Sequence, residues 1–231
     1  MDEDLKLSMH HHVKSSALTN YPSDNKENEI YEKYIIYKFN DEGFRCDYDI
    51  KDLEFYDVNM FLGCSNTLGV GVNNEETWCH HVNDHYQGRR TMFNMGQGGG
   101  SSETCYRLAQ YWIPKIKPKA VFMLTPPSTR REFWTEDEGP QIMGLRRFGS
   151  VPTILPKHMI GETEIQLNRV RVRDAIEMLC VRQKIPFYYI YFHGQLLKWG
   201  GSFDDFGRDG VHPGPDTHKK IAKLFTDQNP V

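Results

Sequence analysis

The sequence predicts one α/β domain built on a parallel sheet with helices on both of its faces. Three observations predict it. Short, mainly apolar runs, such as residues 58–62 and 119–124, read as strands buried on both sides, with Asn59 and Lys119 their only polar members. Longer segments with apolar residues three and four apart read as helices, and the two kinds alternate from Tyr56 onward. The chain has 231 residues, which suits one large domain or at most two small ones.

The elements follow in order. Residues 1–28 are polar, mixed in charge and without period, and read as a flexible tail; His10, His11 and His12 belong to it as a solvated or added stretch rather than a metal site. Residues 29–231 read as a single domain. Aromatic and β-branched residues flank Asn40-Asp41-Glu42-Gly43, so residues 29–50 are expected to form a short β-hairpin appended to the main fold. The strand at 58–62 ends at Gly63, and a helix is expected over 77–86. A second strand over 91–94 runs into a glycine-rich turn. The next helix, 102–117, carries Tyr106, Ala109, Trp112 and Ile113 on one face. A third strand follows at 119–124. Residues 125–162 are rich in glycine and proline and show no period. A long helix is expected over 163–183, with Ile165, Val172, Ile176, Leu179 and Cys180 as its stripe. The fourth strand, 186–192, precedes a closing helix over 215–227. No internal repeat is visible.

Composition narrows the function. Lys and Arg number 28 against 31 Asp and Glu, a net charge of -3, and there is no long basic run, so nucleic acid is not an expected partner. No apolar run approaches the roughly 20 residues that a membrane span needs. The first residues, Asp2, Glu3 and Asp4 among them, lack the apolar stretch of a secretory signal, so a cytoplasmic location is expected. Cys46, Cys64, Cys79, Cys105 and Cys180 are odd in number and have no C-x-x-C spacing, which argues against a disulfide scaffold or zinc knuckle. No cofactor and no metal are expected.

Open parallel sheets bind ligands beyond the carboxyl ends of their strands, so the residues after each strand are the ones to inspect. Gly63-Cys64-Ser65-Asn66-Thr67 follows the first strand. Asn94-Met95-Gly96-Gln97-Gly98-Gly99-Gly100-Ser101 follows the second. Asp209-Gly210-Val211-His212-Pro213 lies between the fourth strand and the last helix. A serine at a strand-to-helix turn exposes a hydroxyl where helical N–H groups favour a developing negative charge. A glycine turn brings a further backbone N–H close. A histidine can take the serine proton, and a carboxylate three residues earlier can orient its ring. Singly each block is an ordinary turn or cap. Together, each at the end of a strand, they are the parts of an acyl-transfer site.

These blocks resemble the SGNH, or GDSL-type, hydrolase superfamily of serine esterases and lipases. Gly63-Cys64-Ser65-Asn66-Thr67 is similar to its first block, Gly-Asp-Ser-x-Thr, with Cys64 in place of the usual acid. Asn94-x-Gly96-x-x-Gly99-x-Ser101 resembles the second block, and Asp209-x-x-His212 the last. The stretch Asn40 to Arg45 also resembles a hairpin that precedes the first block in some relatives. The resemblance spans about residues 40–225. It implies a three-layer α/β/α sandwich with a mainly parallel, flavodoxin-like sheet. It also implies Ser65, Asp209 and His212 as catalytic residues, and Ser65 and Gly99 as oxyanion donors. One block departs. Where the family has Gly-x-Asn-Asp after the third strand, this chain reads Thr125-Pro126-Pro127-Ser128-Thr129-Arg130-Arg131. Losing the asparagine donor costs about 100- to 1000-fold in turnover, unless Ser128, Thr129 or Arg130 replaces it. An arginine there would also favour an anionic substrate; the plainer expectation is that both arginines are solvated.

Three further groups have ordinary explanations. His81 and His85 share a helix face at i, i+4, with His80 beside them, but no nearby carboxylate completes a metal motif. Asp204 and Asp205 rival Asp209 as the acid but lack its spacing to His212. Cys64 adjoins the serine and is expected to be a packed thiol. The expected function is a serine esterase acting on a small-molecule or carbohydrate ester through an acyl-enzyme. The alternatives are a weakened binding module on the same fold and, less well supported, a mononucleotide or flavin binder using the Gly96 turn.

Overall fold

The computed structural model describes residues 35, 37–53, 57–86, 90–135, 139–144, 161–192 and 203–227. The strands are β1 (Val58–Leu62), β2 (Thr91–Asn94), β3 (Ala120–Thr125), β4 (Arg130–Thr135), β5 (Gly139–Gly144) and β6 (Phe187–Tyr191). The helices are α1 (Ile50–Leu53), α2 (Ser65–Leu68), α3 (Trp78–His85), α4 (Ser102–Ile116), α5 (Glu162–Gln183) and α6 (Pro215–Asp227), with a 3-10 turn at Asn74–Glu76. The main sheet has the order β2-β1-β3-β6, and every pairing in it is parallel. Helices cover both of its faces, giving the three layers expected.

Two cores explain why this arrangement holds. Neighbouring residues on a strand point to opposite faces, so β1 sends Met60 and Leu62 one way and Phe61 the other. On the first face Met60, Leu62, Phe93, Val121 and Met123 pack against Leu108, Trp112 and Ile113 of α4 and Ile176 and Cys180 of α5. On the second face Phe61, Phe122, Leu124 and Ile190 meet Trp78, Cys79 and Val82 of α3 and Ile221 and Phe225 of α6. Phe61 and Phe122 stack across the sheet at 5.2 Å between centroids, and Trp78 stacks on Phe225 at 4.8 Å. The one polar residue inside β1, Asn59, is bonded by the side chains of Asn83 and Arg90.

The segment expected to be a hairpin over 29–50 shows its turn. Asn40 N–H donates to the Phe44 carbonyl and Gly43 N–H to the Asn40 carbonyl, both at 2.9 Å. No strand pair flanks that turn among the described residues; a single bridge joins Arg45 to Asn94. The segment is also no appendage. Phe44 enters the first core, and Ile35, Tyr37 and Phe39 pack with Leu68. Its apolar side chains gain more by burial against the body than by pairing with one another. The hairpin that does form is β4 with β5, inside the stretch whose sequence shows no period. The expected tail, residues 1–28, lies outside the described residues. No helix among those described is long and apolar enough to cross a membrane.

Arg45 ties this N-terminal segment to the centre. Its Nη1 donates to the carbonyls of Leu68 and Gly69 at 2.9 and 2.7 Å, and its Nη2 to that of Val72 at 3.0 Å. The last carbonyls of a helix lack helical partners, and a guanidinium fork meets that need at the end of α2.

His218 on α6 joins α6 to α3. It is fully buried, and its Nδ1 accepts the Trp78 N–H at 3.0 Å. Burial pushes its pKa down to about 3, so the folded protein keeps it neutral. An unfolded histidine takes up a proton near pH 6.5. Stability should therefore be level above that pH and fall below it, by up to about 1.4 kcal/mol per pH unit from this group. Urea unfolding of wild type and His218→Asn between pH 7 and 4.5 checks this, with a shallower fall expected in the variant (the asparagine carbonyl can accept the same N–H).

Candidate active site

The strand order makes β1 and β3 neighbours at which the chain changes direction, and in such sheets the crevice opens at the carboxyl ends of that pair. β1 runs into Gly63, where a Cβ would lie 1.9 Å from Thr67 Oγ1 and 2.9 Å from the Leu124 carbonyl. Only glycine lets α2 start this close to the sheet. Ser65 is the first residue of α2, so its N–H has no helical carbonyl to bond. Its side chain is largely buried, with the residue 7% exposed.

The glycine-rich loop is laid against the same turn. Past the end of β2 the ladder continues, with Met95 N–H donating to the Phe61 carbonyl at 2.9 Å and Gln97 N–H to that of Gly63 at 3.1 Å. Asn94 clamps the loop to α2: its Nδ2 donates to the Thr67 carbonyl and its Oδ1 accepts the Gly96 N–H. A Cβ on Gly96 would lie 2.2 Å from Leu68 N, so the two backbones touch there. Gly99 turns the loop with φ +76, a left-handed conformation that favours glycine, and a Cβ added there would meet nothing within 4 Å. Ser101 then caps α4 by accepting the Thr104 N–H.

Residues 205–214 carry the expected acid and base. Phe206 and Pro213 bridge across the base of this loop, and Gly207 N–H donates to the His212 carbonyl at 2.7 Å. At its tip Asp209 does two things. Its Oδ1 accepts the N–H groups of Val211 and His212, both at 3.1 Å, and its Oδ2 lies 2.5 Å from His212 Nδ1. Burial alone would raise the Asp209 carboxyl, but the hydrogen bonds from the His212 ring and backbone outweigh it and hold its pKa below the ordinary value. The carboxylate is ionised at neutral pH, so in the neutral form of the ring Nδ1 is the donor and Nε2 the acceptor. The rival acids are engaged elsewhere. Asp205 caps α6, taking the Asp216 and Thr217 N–H groups, and Asp204 pairs with Lys220.

This loop is fastened to the segment that follows Ser65. Arg208 N–H donates to the Gly71 carbonyl at 2.8 Å. A Cβ on Gly71 would lie 2.8 Å from Asp209 Oδ1 and 3.1 Å from Gly207 Cα, and Gly71 has φ +86. The Arg208 guanidinium makes two bonds to Glu76, at 2.6 and 2.8 Å, with only 6% of its side chain exposed. Gly71, Glu76 and Arg208 have no place in the sequence-based reading. The two glycines of Gly69-Val70-Gly71 were the available signal.

The loop after β3 holds no asparagine. Thr125 ends the strand, Arg130 N–H closes a turn on the Pro127 carbonyl at 3.2 Å, and Ser128 and Thr129 occupy that turn. Neither arginine is simply solvated. Arg131 pairs with Glu103 at 3.0 Å, and Arg130 reaches the Gly100 carbonyl with Nη1 at 3.5 Å, beside Gly99. Elsewhere His80 pairs with Asp84, and no group of three His, Cys, Asp or Glu side chains that could hold a metal is found among the described residues. Cys64 is buried, as expected.

No protein-family model matches the chain, and no curated protein matches it in sequence. Solved structures do resemble it. The chain resembles the G-D-S-L lipolytic enzymes. TesA is 12% identical, with a TM-score of 0.43 over 75% of this chain and 98% of its own. The esterase EstA from Pseudoalteromonas sp. is 11% identical, at 0.41 over 74% and 95%. A member of the lipolytic G-D-S-L family from Veillonella parvula is 14% identical, at 0.37 over 74% and 97%. At TM-scores below 0.5 these likenesses are distant.

Gly71→Ala tests how tightly the two segments are fastened. The added methyl strains a left-handed residue and strikes Asp209 and Gly207. A loss of about 2 kcal/mol or more is expected in urea unfolding, where alanine at an exposed, unstrained glycine would be neutral or stabilising.

Proposed function

We propose that this chain is a serine esterase of the SGNH type, hydrolysing a carboxylic ester through an acyl-enzyme. The observation that carries the proposal is the Asp209–His212 pair, 2.5 Å apart on a loop whose Arg208 bonds Gly71, six residues beyond Ser65. In this reading Ser65 Oγ attacks the ester carbonyl as His212 Nε2 takes its proton. The N–H groups of Ser65 and Gly99 stabilise the oxyanion. The tetrahedral adduct collapses, and the proton on His212 goes to the departing alcohol. Water then attacks the acyl-enzyme, giving its proton to His212, and the acid leaves as Ser65 is restored. Asp209 holds the ring and stabilises its charged form.

Two backbone donors without the family's asparagine suit a slow enzyme, about 100- to 1000-fold below one with the full set. Small or acetylated carbohydrate esters are the proposed substrate class. A fluorophosphonate probe should label the wild type at Ser65 and fail to label Ser65→Ala. Hydrolysis of 4-nitrophenyl acetate should vanish in Ser65→Ala and in His212→Ala, and fall less in Asp209→Asn. The Ser65→Ala, His212→Ala double variant should be scarcely worse than either single one, since both groups act in one step. Wild-type hydrolysis surviving Ser65→Ala would defeat the esterase reading and leave a binding module on this fold.

A further inference from the structure

We propose that the crevice is built for an ester bearing a carboxylate, and that Arg130 is the residue that binds this charge. The proposal rests on the esterase reading above and names its substrate class.

The two residues that follow Arg130 on β4 are both held in ion pairs. Glu132 takes Arg107 in two bonds of 2.7 and 3.0 Å, with both side chains nearly inaccessible to solvent. Glu103 takes Arg131 at 3.0 Å and also accepts from Asn168 Nδ2 at 2.6 Å. Glu132 is engaged through both oxygens and Glu103 through Oε1, its buried Oε2 being left without a partner, and no carboxylate pairs with Arg130 among the described residues. Among the described residues the Arg130 guanidinium makes one hydrogen bond, from Nη1 to the Gly100 carbonyl at 3.5 Å, the outer limit for such a bond. Its Nε is buried and has no acceptor. A guanidinium carries five donors in a fixed fork that fits a carboxylate, and leaving a buried donor unmet is costly. With Nε shielded, the terminal nitrogens of the fork are the donors that an incoming carboxylate would engage.

Its position fits that role. Arg130 opens β4, held by the turn onto Pro127 and by its pairing with Gly144. The Gly100 carbonyl it touches belongs to the residue after Gly99. A Cβ on Gly100 would lie 3.6 Å from the Gly63 carbonyl, two residues before Ser65. The guanidinium therefore stands beside the loop that carries the proposed oxyanion donor, at the edge of the sheet where Ser65 opens α2. One unpaired cation calls for one negative charge, which favours a carboxylate over a dianionic phosphate.

The test uses two pairs of esters that differ only in charge. Mono-4-nitrophenyl succinate against its methyl ester puts the carboxylate on the acyl side; 4-acetoxybenzoate against its methyl ester puts it on the alcohol side. In the wild type the charged member of one pair should have kcat/KM about tenfold higher or more, chiefly through KM. Arg130→Gln should erase that preference and Arg130→Lys keep most of it. Absence of the preference in the wild type overturns the proposal. So does a fall of both members of a pair by one factor in Arg130→Gln, the result of an oxyanion or purely structural role. If no ester is turned over, the esterase reading has failed separately. Calorimetry with succinate and 4-hydroxybenzoate then decides: binding to wild type but not to Arg130→Gln upholds the carboxylate site, and no binding to wild type overturns it.

Discussion

The site depends on a contact between two backbones. Gly71 and Gly207 approach so closely that a methyl on either would meet the other's main chain or Asp209. That approach lets Arg208 N–H reach the Gly71 carbonyl and so brings residues 205–214 to the turn after Ser65. Hydrogen bonds to the main chain and the buried Arg208–Glu76 pair then lock what the glycines permit. A buried pair of this kind adds little net stability, but breaking one side strands the other charge. Its value here is geometric, because it fixes where Asp209 and His212 stand.

A second layer supports the first. Arg45 occupies the carbonyls at the end of α2, and the Tyr37 hydroxyl accepts the Gly71 N–H at 2.8 Å. The N-terminal segment therefore serves as the back wall of the Ser65 turn. Asn94 and Gly96 do the equivalent on the other flank, where the glycine-rich loop meets α2. The Ser65 turn is thus flanked by the glycine-rich loop on one side and by the N-terminal segment on the other.

The sheet was legible because its strands are mainly apolar on both faces, and α5 could be placed through Ile176 and Cys180 although Leu167, Met178 and Val181 stand exposed on it. Helix α6 and strands β1 and β2 fall at the expected residues, since Pro215, Gly63 and the glycine turn mark their ends. The β4–β5 hairpin was not legible. Its strand Arg130–Thr135 is mostly polar or charged, and Arg131 and Glu132 are held by partners on α4 rather than by an apolar face. The segment before β1 misled in the other direction, as its alternating aromatics suggest a self-contained hairpin although they pack onto the body. In the site, the spacing of Asp209 and His212 announced their contact. The fastening through Gly71, Glu76 and Arg208 did not show, because contacts 132 residues apart in the chain leave no local pattern.

The pairing of α3 with α6 has a bearing on how this chain is made. Trp78, Cys79 and Val82 lie in the first half of the sequence, yet the surface that covers them, Ile221 and Phe225, comes near its end. During synthesis a ribosome delivers the first core complete well before the second can close. Until α6 emerges, the indole of Trp78 lacks its stacking partner and its N–H lacks the His218 acceptor. The nascent chain would then present an apolar face beside an already folded sheet, the kind of surface that chaperones hold and that self-association exploits. The base of the proposed triad, His212, lies three residues before α6, so the step that covers Trp78 also brings in that base.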